Sequence, residues 1–334
     1  MKVAIVGIGH VARYQIDAIR HLPGEVELVG IYDGDGTARL DIPCRFHRSL
    51  DELIENSPAD VVVVSTNNSD HFGTASRLIN AGRAVMVEKP VCENRDDLRR
   101  LQKLAHTRNL FFHAAFHAAF GLDLLWWMEQ RANLSRRYGA VTHFDMGFYD
   151  PYIDREGAVR KGARGLGGSW YDSGINALSV LARIADPGSI EIESANMFAS
   201  AHIPCEQVNG GARLNCLVDG FSCAGEINTD WSLGLDRKMT VLSYERATLF
   251  LDHSLERVVI WDGRDRPETI SLQNGQPRLT NHYVGVFADL KDAFAQKRDN
   301  SLLSAQLHEL LFAAVEQKSA GRQNPVRSLL RSAG

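Results

Sequence analysis

The stretch Lys2–Ala12 constrains this chain more than any other. Its apolar run Val3-Ala4-Ile5-Val6 reads as a buried strand, and Gly7-Ile8-Gly9-His10-Val11-Ala12 follows at once. Gly7 permits a tight turn, Gly9 lets a ligand come close to the backbone, and small Ala12 lets the next helix pack against the strand. A strand entering a helix this way belongs to a parallel sheet with the helix crossing one face. The first amides of that helix then face outward as donors suited to a phosphate.

The next hundred or so residues keep this rhythm. Strands over Val3–Val6, Glu25–Asp33, Asp60–Ser65, Ala84–Val87 and Leu110–His113 alternate with helices over Ala12–His21, Leu50–Asn56, Phe72–Ala81 and Arg95–Thr107. Ser49 suits an N-cap and Gly82 a left-handed C-cap. Unbroken apolar strands such as Val61-Val62-Val63-Val64 imply burial on both faces, and hence a doubly wound parallel sheet.

The pattern changes after Phe120. A helix over Gly121–Arg131 precedes a strand, Val141–Tyr149, a polar glycine-rich segment, Asp150–Gly168, and a helix, Ile175–Ile184. From Glu191 to Leu272 longer strands of alternating polarity are joined by Gly, Asn and Asp turns, the mark of an antiparallel or mixed sheet. Helices over Val284–Gln296 and Ser304–Lys318 follow. The expected fold is α/β, with a dinucleotide-type domain in residues 1–120. An α+β domain with a large open, mostly antiparallel sheet follows in 121–334, and its last helices are free to pack back on the first domain.

Bulk properties exclude several classes. The 334 residues are 44% hydrophobic and 23% charged, ordinary values for a globular chain. A net charge of −4 without long like-charge runs gives no support to a nucleic-acid or membrane-surface partner. The five cysteines (Cys44, Cys92, Cys205, Cys216, Cys223) contain no C-x-x-C pair and read as reduced thiols. No apolar stretch approaches the ~18 residues of a membrane span, and the start lacks a signal-peptide pattern. The expected location is the cytoplasm.

The residues at the strand ends carry the chemistry. Asp33 would accept hydrogen bonds from the adenosine ribose and repel a 2′-phosphate, favouring NAD. Asp35 adds repulsion, Arg39 leaves NADP open, and Asp-Gly-Asp-Gly also makes a plain solvated turn. Thr66, Asn67, Asn68 and His71 either line the nicotinamide ribose or form a capping loop. In Glu88-Lys89-Pro90 the lysine ends a parallel strand and points into the ligand crevice, while the proline stops the strand. Glu88 orients Lys89, approaches the nicotinamide amide, or is a surface acid.

Asp172 and Asn176 stand four apart at a helix start and share a face. Together they could grip a hydroxyl, with Lys89 reaching the same point across the interdomain cleft. Alcohol oxidation needs a hydride acceptor and a proton acceptor. A buried lysine lowered from ~10.4, or Asp172, would serve as the second. Asp172, oriented by Asn176 and Lys89, is the expected acceptor, and it also suits an N-cap. His113 and His117 have one-turn metal spacing but no third ligand, so no metal is expected.

The ordered set of motifs resembles the glucose–fructose oxidoreductase/inositol dehydrogenase (Gfo/Idh/MocA) family. The matching stretches are Gly7-x-Gly9-x-x-Ala12, Thr66-Asn67-Asn68-x-x-His71 and Ala81-Gly82-Arg83-x-Val85-x-x-Glu88-Lys89-Pro90. Gly165-Leu166-Gly167-Gly168-Ser169-Trp170-Tyr171-Asp172-Ser173-Gly174-Ile175-Asn176 and Ser319-Ala320-Gly321-Arg322 complete the set. The family often carries proline at Asn67 and mostly histidine at Asn176. The run Asp172–Ser179, with Phe116-His117, Asp230-Trp231, Tyr283 and Phe287, is similar to the galactose and arabinose 1-dehydrogenase branch, which oxidises a pyranose at C1 to its lactone.

The resemblance implies a Rossmann domain holding NAD with Gly7, Ile8, Gly9, His10, Val11, Asp33, Thr66, Asn67, Asn68, His71, Glu88 and Lys89. It implies catalysis by Lys89, Asp172 and Asn176, and a sugar or polyol bound by Lys89, His117, Asp150, Trp170, Asp172, Asn176 and Trp231. His117 also reads as a core histidine. The segment Asp150–Arg164 departs from that branch. Its Arg155, Arg160, Lys161 and Arg164 would suit an acidic substrate of a biosynthetic reductase acting on a keto sugar, imine or semialdehyde, or form a solvated basic loop. A dinucleotide- and sugar-binding regulator is the non-enzymatic reading. Apolar positions such as Val241, Leu249 and Val259 on an open sheet face imply a homodimer or homotetramer.

Overall fold

Burial on two faces or on one decides which of two sheets each strand joins. The computed structural model describes residues 1–34, 42–199, 207–264 and 266–320, with the backbone alone for 318–320. Asp35, Arg39, Cys205, Gly321 and Arg322, and the side chains of Ser319 and Ala320, lie outside the described residues.

The first unit runs β1 (Lys2–Val6), α1 (His10–Arg20), β2 (Glu27–Tyr32), β3 (Arg45–His47), α2 (Leu50–Asn56), β4 (Val61–Val64), α3 (Asn68–Asn80), β5 (Ala84–Glu88), α4 (Arg95–Thr107) and β6 (Phe112–Ala115). The strands lie in the order β3-β2-β1-β4-β5-β6 and all pair in parallel. The order reverses between β1 and β4, which opens a crevice beyond their carboxyl ends. The four valines of β4 are fully buried, and each such burial contributes about 1.5–2 kcal/mol.

Several boundaries differ from the periodicity. Helix α3 starts at Asn68 because Asn67 is extended (φ −64°, ψ 154°) and Asp70 favours the positive helix end. Strand β6 starts two residues late. The Leu110 amide still closes the end of α4 on the Ala105 carbonyl at 3.0 Å, and Asn109 adopts a left-handed φ of 51°.

The second unit starts with α5 (Leu122–Tyr138) and β7 (Val141–Tyr149), and a π-turn over Trp170–Gly174 leads into α6 (Ile175–Ile184). The strands β8 (Glu191–Ala199), β9 (Gln207–Val218), β10 (Phe221–Asp230), β11 (Arg237–Tyr244), β12 (Thr248–Asp252), β13 (Arg257–Trp261) and β14 (Glu268–Ser271) follow. Helices α7 (Arg278–Ala295) and α8 (Ser301–Ala320) come last. The sheet order is β14-β13-β12-β11-β7-β10-β9-β8, antiparallel among the described pairs except for β7 with β10.

Strict alternation gives this sheet one inner face. On β11, Lys238, Thr240, Leu242 and Tyr244 turn inward, and Met239 and Val241 turn outward. Leu249 is a correction: it is buried opposite Leu242, while its neighbour Phe250 faces outward. Trp261, 52% exposed, joins Phe250 among the large outward apolar residues.

Helix α7 starts six residues before its expected start, directly after Pro277, because no breaker lies between Arg278 and Val284. It packs Tyr283, Val286, Phe287 and Leu290 against Val3, Ile5, Val61 and Val63 of the first sheet. Arg95 of α4 pairs with Glu309 of α8 at 2.8 Å, so α8 also touches the first unit. Among the described residues no helix is long and apolar enough to cross a membrane.

Candidate active site

Gly7 takes a φ of +93°, and a Cβ there would meet the Ser65 carbonyl at 2.6 Å, so no other residue fits. Gly9 is different. A Cβ on it would meet nothing within 4 Å, so protein packing does not require a glycine there. A group lying on the turn would require it. Helix α1 starts at that point with no side-chain cap and no acid in its first turn, which leaves its amides to an anion. These residues therefore fit the pyrophosphate of a dinucleotide.

Asp33 is anchored rather than loose. One carboxylate oxygen accepts the Ile8 amide at 2.6 Å, locking the end of β2 to the glycine turn. His10 is exposed and meets Tyr14 edge to face, and Val11 is half-buried. Thr66 and Asn67 lie at the rim of the crevice. Asn68 is nearly buried and reaches across to the Leu166 carbonyl at 3.5 Å.

His71 is spent on the backbone. Its Nδ1 meets the Pro90 carbonyl at 2.8 Å and its Nε2 the Thr66 carbonyl at 3.1 Å, which clamps the ends of β4 and β5 together. Burial lowers it below the usual imidazole range despite the two carbonyls.

Glu88 lies beneath the crevice. Its Oε1 accepts from Gln15 at 2.7 Å and from the Tyr283 hydroxyl at 2.7 Å, and Ser65 donates to Gln15 at 2.8 Å. Burial pushes this carboxyl up, against the hydrogen bonds and the Lys89 charge that pull it down. The network ties α1, β4, β5 and α7 under the floor of the site.

Lys89 points the other way. Its Nζ donates to Asp172 Oδ1 at 2.7 Å and to the Asp172 carbonyl at 3.0 Å, which joins the first sheet to the second unit. The π-turn that carries Asp172 departs from α-helical bonding, and its carbonyl takes both Lys89 and, at 3.2 Å, the Asn176 amide group. That leaves Asn176 Oδ1 buried without a protein partner among the described residues, an acceptor suited to a hydroxyl. Asp172 Oδ2 also receives no donor among the described residues.

A second ion pair forms the wall. Lys238 Nζ donates to Asp150 Oδ1 at 2.5 Å and also to Asp236, while Ser173 donates to Asp150 Oδ2 at 2.7 Å. Tyr152 is close enough to Asp172 and Asp150 that, after burial, their charges push its phenol further up. His117 Nδ1 meets His282 Nδ1 at 3.3 Å with the two rings stacked, and the His117 ring lies tilted against Tyr283. Burial, then the charges of Lys89, His282, Arg278 and Lys238, holds His117 well below the usual imidazole range, so it is neutral. His113 turns elsewhere, to Asn300 and Asp289.

The two indoles are enclosed in protein. Trp170 is fully buried and donates to the Leu311 carbonyl of α8 at 3.2 Å. Trp231 is fully buried among Val159, Ala163 and Val208, with Tyr152 edge-on at 5.3 Å. Sequence reasoning missed Tyr152, Ser173, Lys238, His282 and Arg278. One signal was available: a lysine at an inward position of the alternating β11 needs a buried anion.

Residues 1–116 match the model of an oxidoreductase family with an NAD-binding Rossmann fold, Gfo/Idh/MocA. Over these residues, about a third of the chain, it is similar to that family. It is 23% identical over 247 residues to a 1-carboxy-3-chloro-3,4-dihydroxycyclohexa-1,5-diene dehydrogenase of Comamonas testosteroni, covering 70% of this chain and 61% of that one. It is 28% identical over 107 residues to an inositol 2-dehydrogenase of Salmonella typhimurium, 30% of this chain and 32% of that one. The chain thus spans less than two thirds of the length of these curated relatives. An NAD-binding oxidoreductase from Klebsiella pneumoniae shares the fold over 96% of this chain and 97% of its own, with TM-score 0.80 at 17% identity.

Proposed function

We propose that this chain is an NAD-dependent dehydrogenase of a sugar or sugar-like polyol. The carrying observation is the Lys89–Asp172 pair at 2.7 Å, which meets at the crevice next to the glycine turn. The relatives support the substrate class, since both names denote oxidation of hydroxylated six-membered rings. We further propose residues 1–120 as the cofactor domain and 121–334 as the substrate domain.

Gly7, Ile8, Gly9, His10 and Val11 would hold the pyrophosphate. Asp33, already fixed to the turn, would accept the adenosine ribose hydroxyls and repel a 2′-phosphate. Thr66, Asn67, Asn68 and Lys89 would border the nicotinamide. NAD supplies the hydride acceptor when bound. His71 and Glu88 act from behind, by fixing the backbone that presents Lys89.

Asp172 Oδ2 takes the hydroxyl proton as the C–H hydride departs, and Lys89 holds Asp172 in the required orientation. Asn176 Oδ1 and His117 receive neighbouring hydroxyls of the ring. Asp150, tied up by Lys238 and Ser173, shapes the pocket wall. Trp170 and Trp231 stay outside the proposed contacts because protein seals both indoles. The Asp172–Asn176 arrangement and its likeness to the aldose branch favour oxidation at C1 to a lactone.

The test is absorbance at the reduced-nicotinamide band with NAD or NADP and a panel of aldoses, inositols and sugar acids. Turnover lost in Lys89→Ala and Asp172→Ala is the expected result. Cofactor binding without turnover of any substrate would favour the regulatory reading. We also propose a homodimer or homotetramer through the outer face that carries Phe250 and Trp261, and a monomer by light scattering at micromolar concentration would overturn it.

A further inference from the structure

Arg278 is a cation of this site without a charge partner among the described residues. Lys89 is paired with Asp172 and Lys238 with Asp150 and Asp236, whereas among the described residues Arg278 makes neither a hydrogen bond nor an ion pair through its guanidinium. It is half-buried and stands on the first residue of α7, one turn before Asn281 and His282. A cation there runs against the positive end of the helix, and the first turn holds no acid to offset it. Its placement therefore calls for a reason other than the helix.

Its charge is felt in the crevice. Behind burial as the main cause, Arg278 helps to lower His117 and His282. It also opposes the upward push on the Tyr152 phenol, which Asp172 and Asp150 reinforce. Asp236 and Glu256 lie within its field, yet neither reaches ion-pair distance, and Glu256 already accepts the Asn281 amide group at 2.9 Å. The same His117 that senses Lys89 thus senses Arg278. A half-buried guanidinium with its fork unoccupied matches a planar monoanion in two parallel hydrogen bonds.

We propose that Arg278 binds a carboxylate on the substrate, so that the preferred substrate is an acidic sugar or polyol rather than a neutral one. This rests on the dehydrogenase reading above, with the hydride leaving the carbon held at Asp172 and the carboxylate lying toward α7. A single guanidinium carries one positive charge, which suits a monoanionic carboxylate better than a phosphate dianion.

The experiment compares D-glucuronate, D-gluconate, D-glucose and D-glucose 6-phosphate on the wild type, Arg278→Gln and Arg278→Lys. Binding to the NADH-loaded protein is measured by calorimetry beside turnover. The expected result is that an acid binds more tightly than glucose, and that Arg278→Gln weakens the acid by about 10–100-fold while leaving glucose unchanged. Arg278→Lys should recover part of the loss, which also reports that the site is folded. Where an acid turns over, the loss should fall on KM more than on kcat.

Equal binding of acid and glucose, equal loss of both in Arg278→Gln, or preference for the 6-phosphate would overturn the proposal. Carboxylate binding that depends on Arg278 in a protein without turnover would uphold this site and sink the dehydrogenase reading instead.

Discussion

The two lysine–aspartate pairs of the cleft look alike and differ in what is left over. Lys238 and Asp150 are saturated: Asp236 shares the ammonium, and Ser173 takes the second carboxylate oxygen. Lys89 and Asp172 are joined through one carboxylate oxygen and one carbonyl, and Asp172 Oδ2 has no protein donor among the described residues. Both pairs are about nine-tenths buried, with side-chain exposures of 10%/12% and 9%/12%. Burial alone therefore does not separate them. A saturated pair has no capacity to exchange a proton with a ligand and serves as wall. An unsaturated pair at a crevice retains an acceptor and can react.

Breaking the reactive pair should have the largest effect. Asp172→Asn is expected to lower turnover by about 10²–10⁴-fold, the range for losing a positioned proton acceptor, with cofactor affinity retained. Calorimetry with NADH and the absorbance assay check the two halves of that statement. An Asp172→Asn enzyme of wild-type rate would make the two pairs equivalent.

Lys238→Met strands Asp150 among protein groups, so the expected cost is of order 3 kcal/mol in unfolding free energy. Denaturant unfolding measures it. Replacing Lys238 and Asp150 together by apolar residues should restore part of the loss, because neither charge is then left unpaired.

The smallest effect concerns Glu88 and has a pH sign. Burial raises this carboxyl in the folded state, so folding favours its protonated form and its contribution is lost as pH rises from the unfolded value near 4.5. Glu88→Gln keeps an acceptor for Tyr283 and removes the charge. Its stability relative to wild type should therefore increase between pH 4.5 and 7.5, by urea unfolding at each pH. A gap that shrinks with rising pH would contradict the assignment.

Legibility followed the range of the interaction. Lys89 was readable because strand, lysine and proline are contiguous and a parallel strand delivers its last side chain to the crevice. Gly7 and Gly9 were readable for the same reason. Glu88 was readable as a neighbour of Lys89, but its burial under Gln15 and Tyr283 joins residues 73 and 195 positions away. Trp170 and Trp231 followed a sequence likeness into the pocket, while their surroundings, α8 for one and Val159 with Val208 for the other, were fixed by packing. Leu249 was misread by one pleat, which in a strand moves a side chain to the opposite face.

The sequence by itself determined the two sheets, the glycine turn, a lysine just past the end of β5 and an acid just before α6. Local periodicity and turn chemistry act over a few residues, and they suffice for that. The tertiary structure decided which charges meet, which oxygens stay open, and that Arg278 remains without an ion-pair partner among the described residues. Those outcomes depend on distances between segments remote in the chain, and only packing of the two units sets them.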